Sequence, residues 1–156
     1  MEGNVRDFVK YAVTVLTAGL LTLAVGGPSA SAADYGNGIG GNPVNCANNW
    51  TVGPAEPVKA GDGRVVGYSQ MWWSNSCQGN WTRAWTVSGQ PTTIESTIVQ
   101  GIPPGPNRKF AIANDYASVH FTLYIGVQPT ERMCGSTKMW DIPTANWAFS
   151  GVYCRT

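Results

Sequence analysis

Apolar and polar residues alternate along most of the chain after its first thirty-odd positions. Between Arg64 and Trp73 (RVVGYSQMWW), Val66, Tyr68, Gln70 and Trp72 fall on one side, and Val65, Gly67, Ser69, Met71 and Trp73 on the other. That two-residue period predicts a strand. From Trp81 to Val87 (WTRAWTV), Trp81, Arg83, Trp85 and Val87 oppose Thr82, Ala84 and Thr86, and the polar SNSCQGN stretch joins the two runs. The pattern is that of a hairpin. Further strands are expected at Cys46–Val52, at the β-branched run Thr92–Gln100, at Phe110–Tyr116, at Ser118–Val127 and at Ala148–Cys154. Gly53–Gly63, Ser88–Pro91, Gly101–Lys109 and Gln128–Gly135 are rich in turn residues. Prolines at 103, 104 and 106 bar helix and central strand there. Ser136–Trp147 is ambiguous. No run after the first 33 residues has helical periodicity, so the expected fold is all-β: a small antiparallel sandwich or barrel of roughly six to eight short strands.

The first residues read differently. Arg6 and Lys10 precede an apolar run, Tyr11–Val25, which Gly26, Gly27 and Pro28 interrupt before Ala30-Ser31-Ala32. Fifteen residues at about 1.5 Å each fall short of a ~30 Å hydrocarbon core. Residues 1–32 therefore read as a secretory signal peptide, residues 33–45 as a Gly/Asn-rich segment that is flexible or ordered only by what it packs against, and residues 46–156 as one β domain. The protein is expected outside the cell, with no membrane span once the leader is cleaved. There, the four cysteines read as two disulfides. Three pairings exist on paper, and the spacing favours Cys46–Cys77 and Cys134–Cys154. A metal site fits poorly, with no CxxC spacing and a single histidine, and no cofactor is expected.

Removing residues 1–32 takes away two cations and two anions and leaves the net charge of +1 unchanged. A near-neutral domain without charge runs argues against a nucleic-acid partner. Four of the seven tryptophans lie between Gly67 and Trp85, and both faces of the Arg64–Trp73 strand carry large rings. One face belongs in the core. The other is covered, or it is offered to a partner. Arg83 between two indoles has the makings of a cation–π sandwich. Trp72, Trp73, Trp81, Arg83 and Trp85 are the candidate ligand- or partner-binding residues.

Catalytic signals are sparse. His120 stands alone, and a lone strand histidine reads as a hydrogen-bonded structural residue. No G-x-S-x-G elbow marks a nucleophile. The carboxylates Asp34, Glu56, Asp62, Glu95, Asp115, Glu131 and Asp141 would serve a glycosidase pair, but none sits in a distinctive context.

Val65–Ala84, VVGYSQMWWSNSCQGNWTRA, resembles the central motif of the YjfA-like group, small secreted proteins of unknown function from Gram-positive bacteria. A glycine-led strand ends in an aromatic residue and a serine. A cysteine follows, then tryptophan, a small or polar residue and arginine. Trp73, Ser74, Cys77, Trp81, Thr82 and Arg83 take those places, although the interval from Cys77 to Trp81 is longer than the pattern has it. Arg132–Gly135 with Cys154 resembles the group's C-terminal half and supports the second disulfide. The resemblance implies a secreted two-disulfide β domain and carries no activity. Two functions stand side by side. One is a non-catalytic module that binds a cell-wall polysaccharide or a subunit of a secreted assembly, a toxin complex included. The other is a small hydrolase, or a hydrolase inhibitor presenting the proline-rich loop Gly101–Asn107.

Overall fold

A computed structural model describes residues 34–101 and 108–156. The leader at 1–32 and nearly all of the proline-rich loop lie outside the described residues. Twelve strands form one sheet: β1 (Tyr35–Asn37), β2 (Ile39–Gly41), β3 (Asn49–Thr51), β4 (Glu56–Lys59), β5 (Val65–Ser74), β6 (Gly79–Thr86), β7 (Thr92–Gln100), β8 (Phe110–Ala117), β9 (Val119–Phe121), β10 (Tyr124–Gly126), β11 (Met133–Asp141) and β12 (Asn146–Arg155). Seven have four or more residues, within the expected number. The other five are three-residue pairings: β3 lies within the expected Cys46–Val52 strand, β9 and β10 within Ser118–Val127, and β1 and β2 are too short for an alternating pattern to reveal.

Across the sheet the order is β1-β8-β7-β11-β12-β4-β5-β6-β10-β2, with β3 on β5 and β9 on β6. β1 and β2 sit at opposite ends of that order, yet only Gly38 separates them in the chain. The path thus ends on the segment where it began, and the antiparallel sheet is a nearly closed barrel. Gly38 makes the link in the left-handed region (φ 73°), where glycine has no Cβ penalty. Within residues 34–45, Tyr35–Asn37 pair with β8 and Ile39–Gly41 with β10. Their own sequence has too few apolar positions to show this.

The two-residue period fills the barrel in layers. At one end Met71, Ile98, Ala111, Ile125, Met133 and Tyr153 pack together with Trp73, and at the other Val58, Ala84, Ile94, Met139 and Ala148. Between them lies a polar layer from the same inward faces. The Ser69 hydroxyl is 2.7 Å from that of Thr137 and 2.8 Å from that of Tyr153, Ser96 is 2.8 Å from Thr137, and Thr82 donates to the Thr97 carbonyl at 2.9 Å. Every hydroxyl in the layer has a partner, so its burial carries little of the penalty an orphan would. Gly135 makes the room: a Cβ there would lie 2.8 Å from the Tyr153 hydroxyl oxygen and 3.0 Å from the Thr82 oxygen.

Both disulfides form as the spacing favours, Cys46–Cys77 and Cys134–Cys154. The second joins directly paired residues of β11 and β12. The first ties the short 3-10 turn Pro43–Asn45 to the loop after β5. Three expected elements differ. Gly53–Gly63, expected as a loop, carries β4 at Glu56–Lys59, because those residues pair with β5 on one side and β12 on the other. Ser118–Val127 is broken into β9 and β10, because Thr122 bonds Thr82 twice, once through its hydroxyl oxygen (3.1 Å) and once through its amide (3.0 Å). Past that break Ile125, not Tyr124, is the fully buried residue. The ambiguous Ser136–Trp147 stretch completes β11, turns through Ile142–Thr144 and Ala145 (φ 48°), and opens β12.

Candidate functional site

The hairpin β5–β6 turns one face into the barrel and one outward. Gly67, Ser69, Met71 and Trp73 point in, and their buried pattern alternates with half-buried Tyr68, Gln70 and Trp72. Register then sets the outer rows: Tyr68 opposite Trp85, Gln70 opposite Arg83 and Trp72 opposite Trp81. β9 extends two of them, with Val119 beside Trp85 and Phe121 beside Arg83. Cross-strand neighbours on one face are close enough for rings to stack. Tyr68 and Trp85 do so at 5.7 Å between centroids, and Trp72 and Trp81 at 6.3 Å. Arg83 lies in the middle, its guanidinium carbon 5.3 Å from the Trp85 ring, 5.6 Å from Trp72 and 5.9 Å from Phe121.

An open groove of about 220 Å³ lies at the Trp72–Trp81 end of this ladder. Trp72, Trp81, Arg83 and Phe121 line it together with Pro43 and Val44 from the 3-10 turn. Two buried donors among the lining residues, Trp72 Nε1 and Arg83 Nε, have no hydrogen-bond partner among the described residues. Such orphans cost about 1–3 kcal/mol each and call for an explanation.

Of the five candidate residues, the structure brings Trp72, Arg83 and Trp85 together on the outer face. Trp81 shares that face but is only 2 % exposed, so it acts as the ring on which Trp72 rests. Trp73 is corrected. It belongs to the core, 4 % exposed, with its indole N–H donating to Asn75, because a strand sends adjacent residues to opposite faces. Phe121 was missed; its signal was its position beside His120 on a strand whose partner could not be read from sequence. A second outer cluster was also missed. Trp140 and Trp147 meet edge to face at 5.6 Å, Lys138 Nζ lies 4.8 Å from the Trp147 ring, and Phe149 nearby on β12 is exposed.

The carboxylates are engaged elsewhere. Glu56 pairs with Arg155, Glu95 with Lys138, Asp62 and Asp141 with Arg64, and Glu131 accepts from Gln100. The Arg64 contact holds the Asp141 carboxyl below its usual range. Asp115 lies 2.7 Å from His120 Nδ1. The imidazole is fully buried, which lowers its pKa against the raising effect of Asp115. Nδ1 faces the Asp115 carboxylate, and Nε2 meets no hydroxyl among the described residues. No nucleophile of a Ser-His-Asp arrangement lies beside it among the described residues.

Asp34 lies next to this pair, at the start of the closing strap. Both of its carboxylate oxygens are buried without a partner among the described residues, and burial, reinforced by Asp115, pushes its pKa from 3.8 to about 6. Between those values the released strand has lost its proton while the docked one keeps it, so docking weakens as pH rises through that window and is strongest in acid. His120 works in the opposite sense, since its lowered pKa makes acid unfavourable. The difference between wild type and Asp34→Asn isolates the carboxylate. Hydrogen exchange of the Tyr35–Gly41 amides is expected to quicken, relative to the variant, from pH 4 to pH 7. Equal pH dependence in both proteins would refute it.

No helix among the described residues is long and apolar enough to cross a membrane, and no cluster of three metal-ligating side chains occurs among them. No family model, curated protein or solved structure matches this chain.

Proposed function

We propose that this is a secreted, non-catalytic binding module that grips a cell-wall polysaccharide through the outer face of β5, β6 and β9. The observation that carries the reading is the groove at the Trp72–Trp81 end of the ladder: half-buried rings flank a guanidinium, and donors without partners lie among its lining. Aromatic faces supply flat apolar area to the C–H faces of a sugar ring, and nearby donors fix its hydroxyls. Rigid support favours such a site, because little freedom is lost on binding. Here it comes from a paired hairpin and from the Cys46–Cys77 bridge beside the groove wall.

The test is retention of the oxidised protein on insoluble peptidoglycan, chitin and cellulose. Wild type is expected to pellet with at least one of them. Trp72→Ala and Phe121→Ala are expected to lose more than about tenfold in affinity, which is about 1.4 kcal/mol, while remaining folded by near-UV circular dichroism. Retention unchanged in both variants would move the site away from the groove.

A second reading, docking to a protein subunit, is favoured by the Trp140, Trp147 and Phe149 cluster on the β11–β12 face. Stoichiometric capture of one secreted protein, abolished by Phe149→Glu and untouched by Trp72→Ala, would support it in place of the first.

A further inference from the structure

The groove's charge deepens that reading. Arg83 makes no ion pair or side-chain hydrogen bond among the described residues, and none of the residues lining the groove is acidic. The described carboxylates near other cations are already taken, and Asp34 lies beside Asp115 rather than over the ladder. The guanidinium carbon lies within 5.9 Å of the Trp72, Trp85 and Phe121 ring centroids, and the N–H donors of its planar head are what it offers to a ligand in the groove. Its Nε is buried and has no partner among the described residues. The two Nη groups form a fork that accepts a carboxylate end-on through two parallel bonds. Partial removal from water strengthens such a pair relative to one on the open surface.

Size sets the rest. About 220 Å³ is the volume of roughly seven liquid waters, room for one sugar ring and its substituent. We infer that the groove selects a carboxylate-bearing pyranose, the carboxylate on the Arg83 fork and the ring against Trp72 and Phe121. The inference rests on the polysaccharide reading. Two sources share this chemistry: a uronic acid within a polymer, and an amino sugar carrying a lactyl ether.

Isothermal titration separates them. The oxidised protein is titrated with a trigalacturonate, with N-acetylmuramic acid and with the neutral counterparts of each, galactotriose and N-acetylglucosamine. At least one acidic ligand is expected to bind tenfold or more tightly than its neutral counterpart, and which one does so identifies the source. That advantage is expected to shrink as salt rises, whereas neutral binding stays level. Arg83→Gln is expected to abolish the advantage of the acidic ligand over its neutral counterpart. Arg83→Lys, which keeps the charge without the fork, is expected to retain part of it. The salt series in wild type carries the test even if Arg83→Gln fails to fold. Equal binding of acidic and neutral sugars, or an advantage that survives Arg83→Gln in a folded protein, overturns the inference and leaves the polysaccharide reading standing. Binding of no sugar in either arm overturns both.

Discussion

Trp73→Ala is expected to remove about 3–5 kcal/mol of stability, the range for deleting a buried aromatic ring, and its neighbour Trp72→Ala only about 1–2 kcal/mol. Trp73 sits inside the barrel against Met71, Ile98 and Met133, all essentially buried. Its removal leaves a cavity beside Met71 and Met133, and it strips Asn75 of its indole donor. Trp72 loses mainly its stacking on Trp81 and the Arg83 contact, worth about 0.5–1.5 kcal/mol for an aromatic pair. Function is expected to divide the other way, with sugar retention lost in Trp72→Ala and kept in Trp73→Ala wherever that variant is folded. Urea denaturation of the two proteins, run beside the retention assay, checks the assignment. Similar losses of stability would mean that the outer face is packed like the inner one and that the groove is closed in solution.

The second large effect belongs to the disulfides. Cys134→Ala/Cys154→Ala is expected to cost about 3 kcal/mol, and Cys46→Ala/Cys77→Ala about 4 kcal/mol, from the chain entropy of the loops they close, with sequence separations of 20 and 31. Their consequences for binding differ. Cys134–Cys154 reinforces two strands already paired along eight positions, far from the ladder, so its loss is expected to lower the melting temperature and leave sugar affinity unchanged below it. Cys46–Cys77 anchors the turn that carries Pro43 and Val44, two of the groove's lining residues. Its loss is expected to weaken affinity at temperatures where the barrel is intact. Thermal melts and titrations of the two double variants decide this, and equal affinity in both would detach the turn from the site.

Much of the barrel was legible because strands of eight to ten residues with one buried face must alternate. β5, β6 and β7 carry that alternation plainly, and the expectations for them held to within a residue or two. β1 and β2 carry none. Three residues that include Gly36, or Gly40 and Gly41, cannot show a period, and they become strands only because β8 and β10 offer unpaired edges. The break at Thr122 escaped notice for a related reason, since its cause is a hydroxyl bonded to Thr82 forty residues away.

The site divides in the same way. The sequence by itself determined an all-β chain, two disulfides and a surplus of aromatic rings with Arg83 among them, since residue type and period two depend on the chain's own neighbours. It could not choose which face of β5 goes inside, because Trp72 and Trp73 are equally apolar. Register decided that. Setting Ser69 against Thr137 and Tyr153 in the polar layer sends Trp73 to the core and Trp72 outward. Only the closed sheet then brings Phe121 and the Pro43 turn to the same arginine. Contacts between residues about forty positions apart are properties of the barrel, and so is the groove they make.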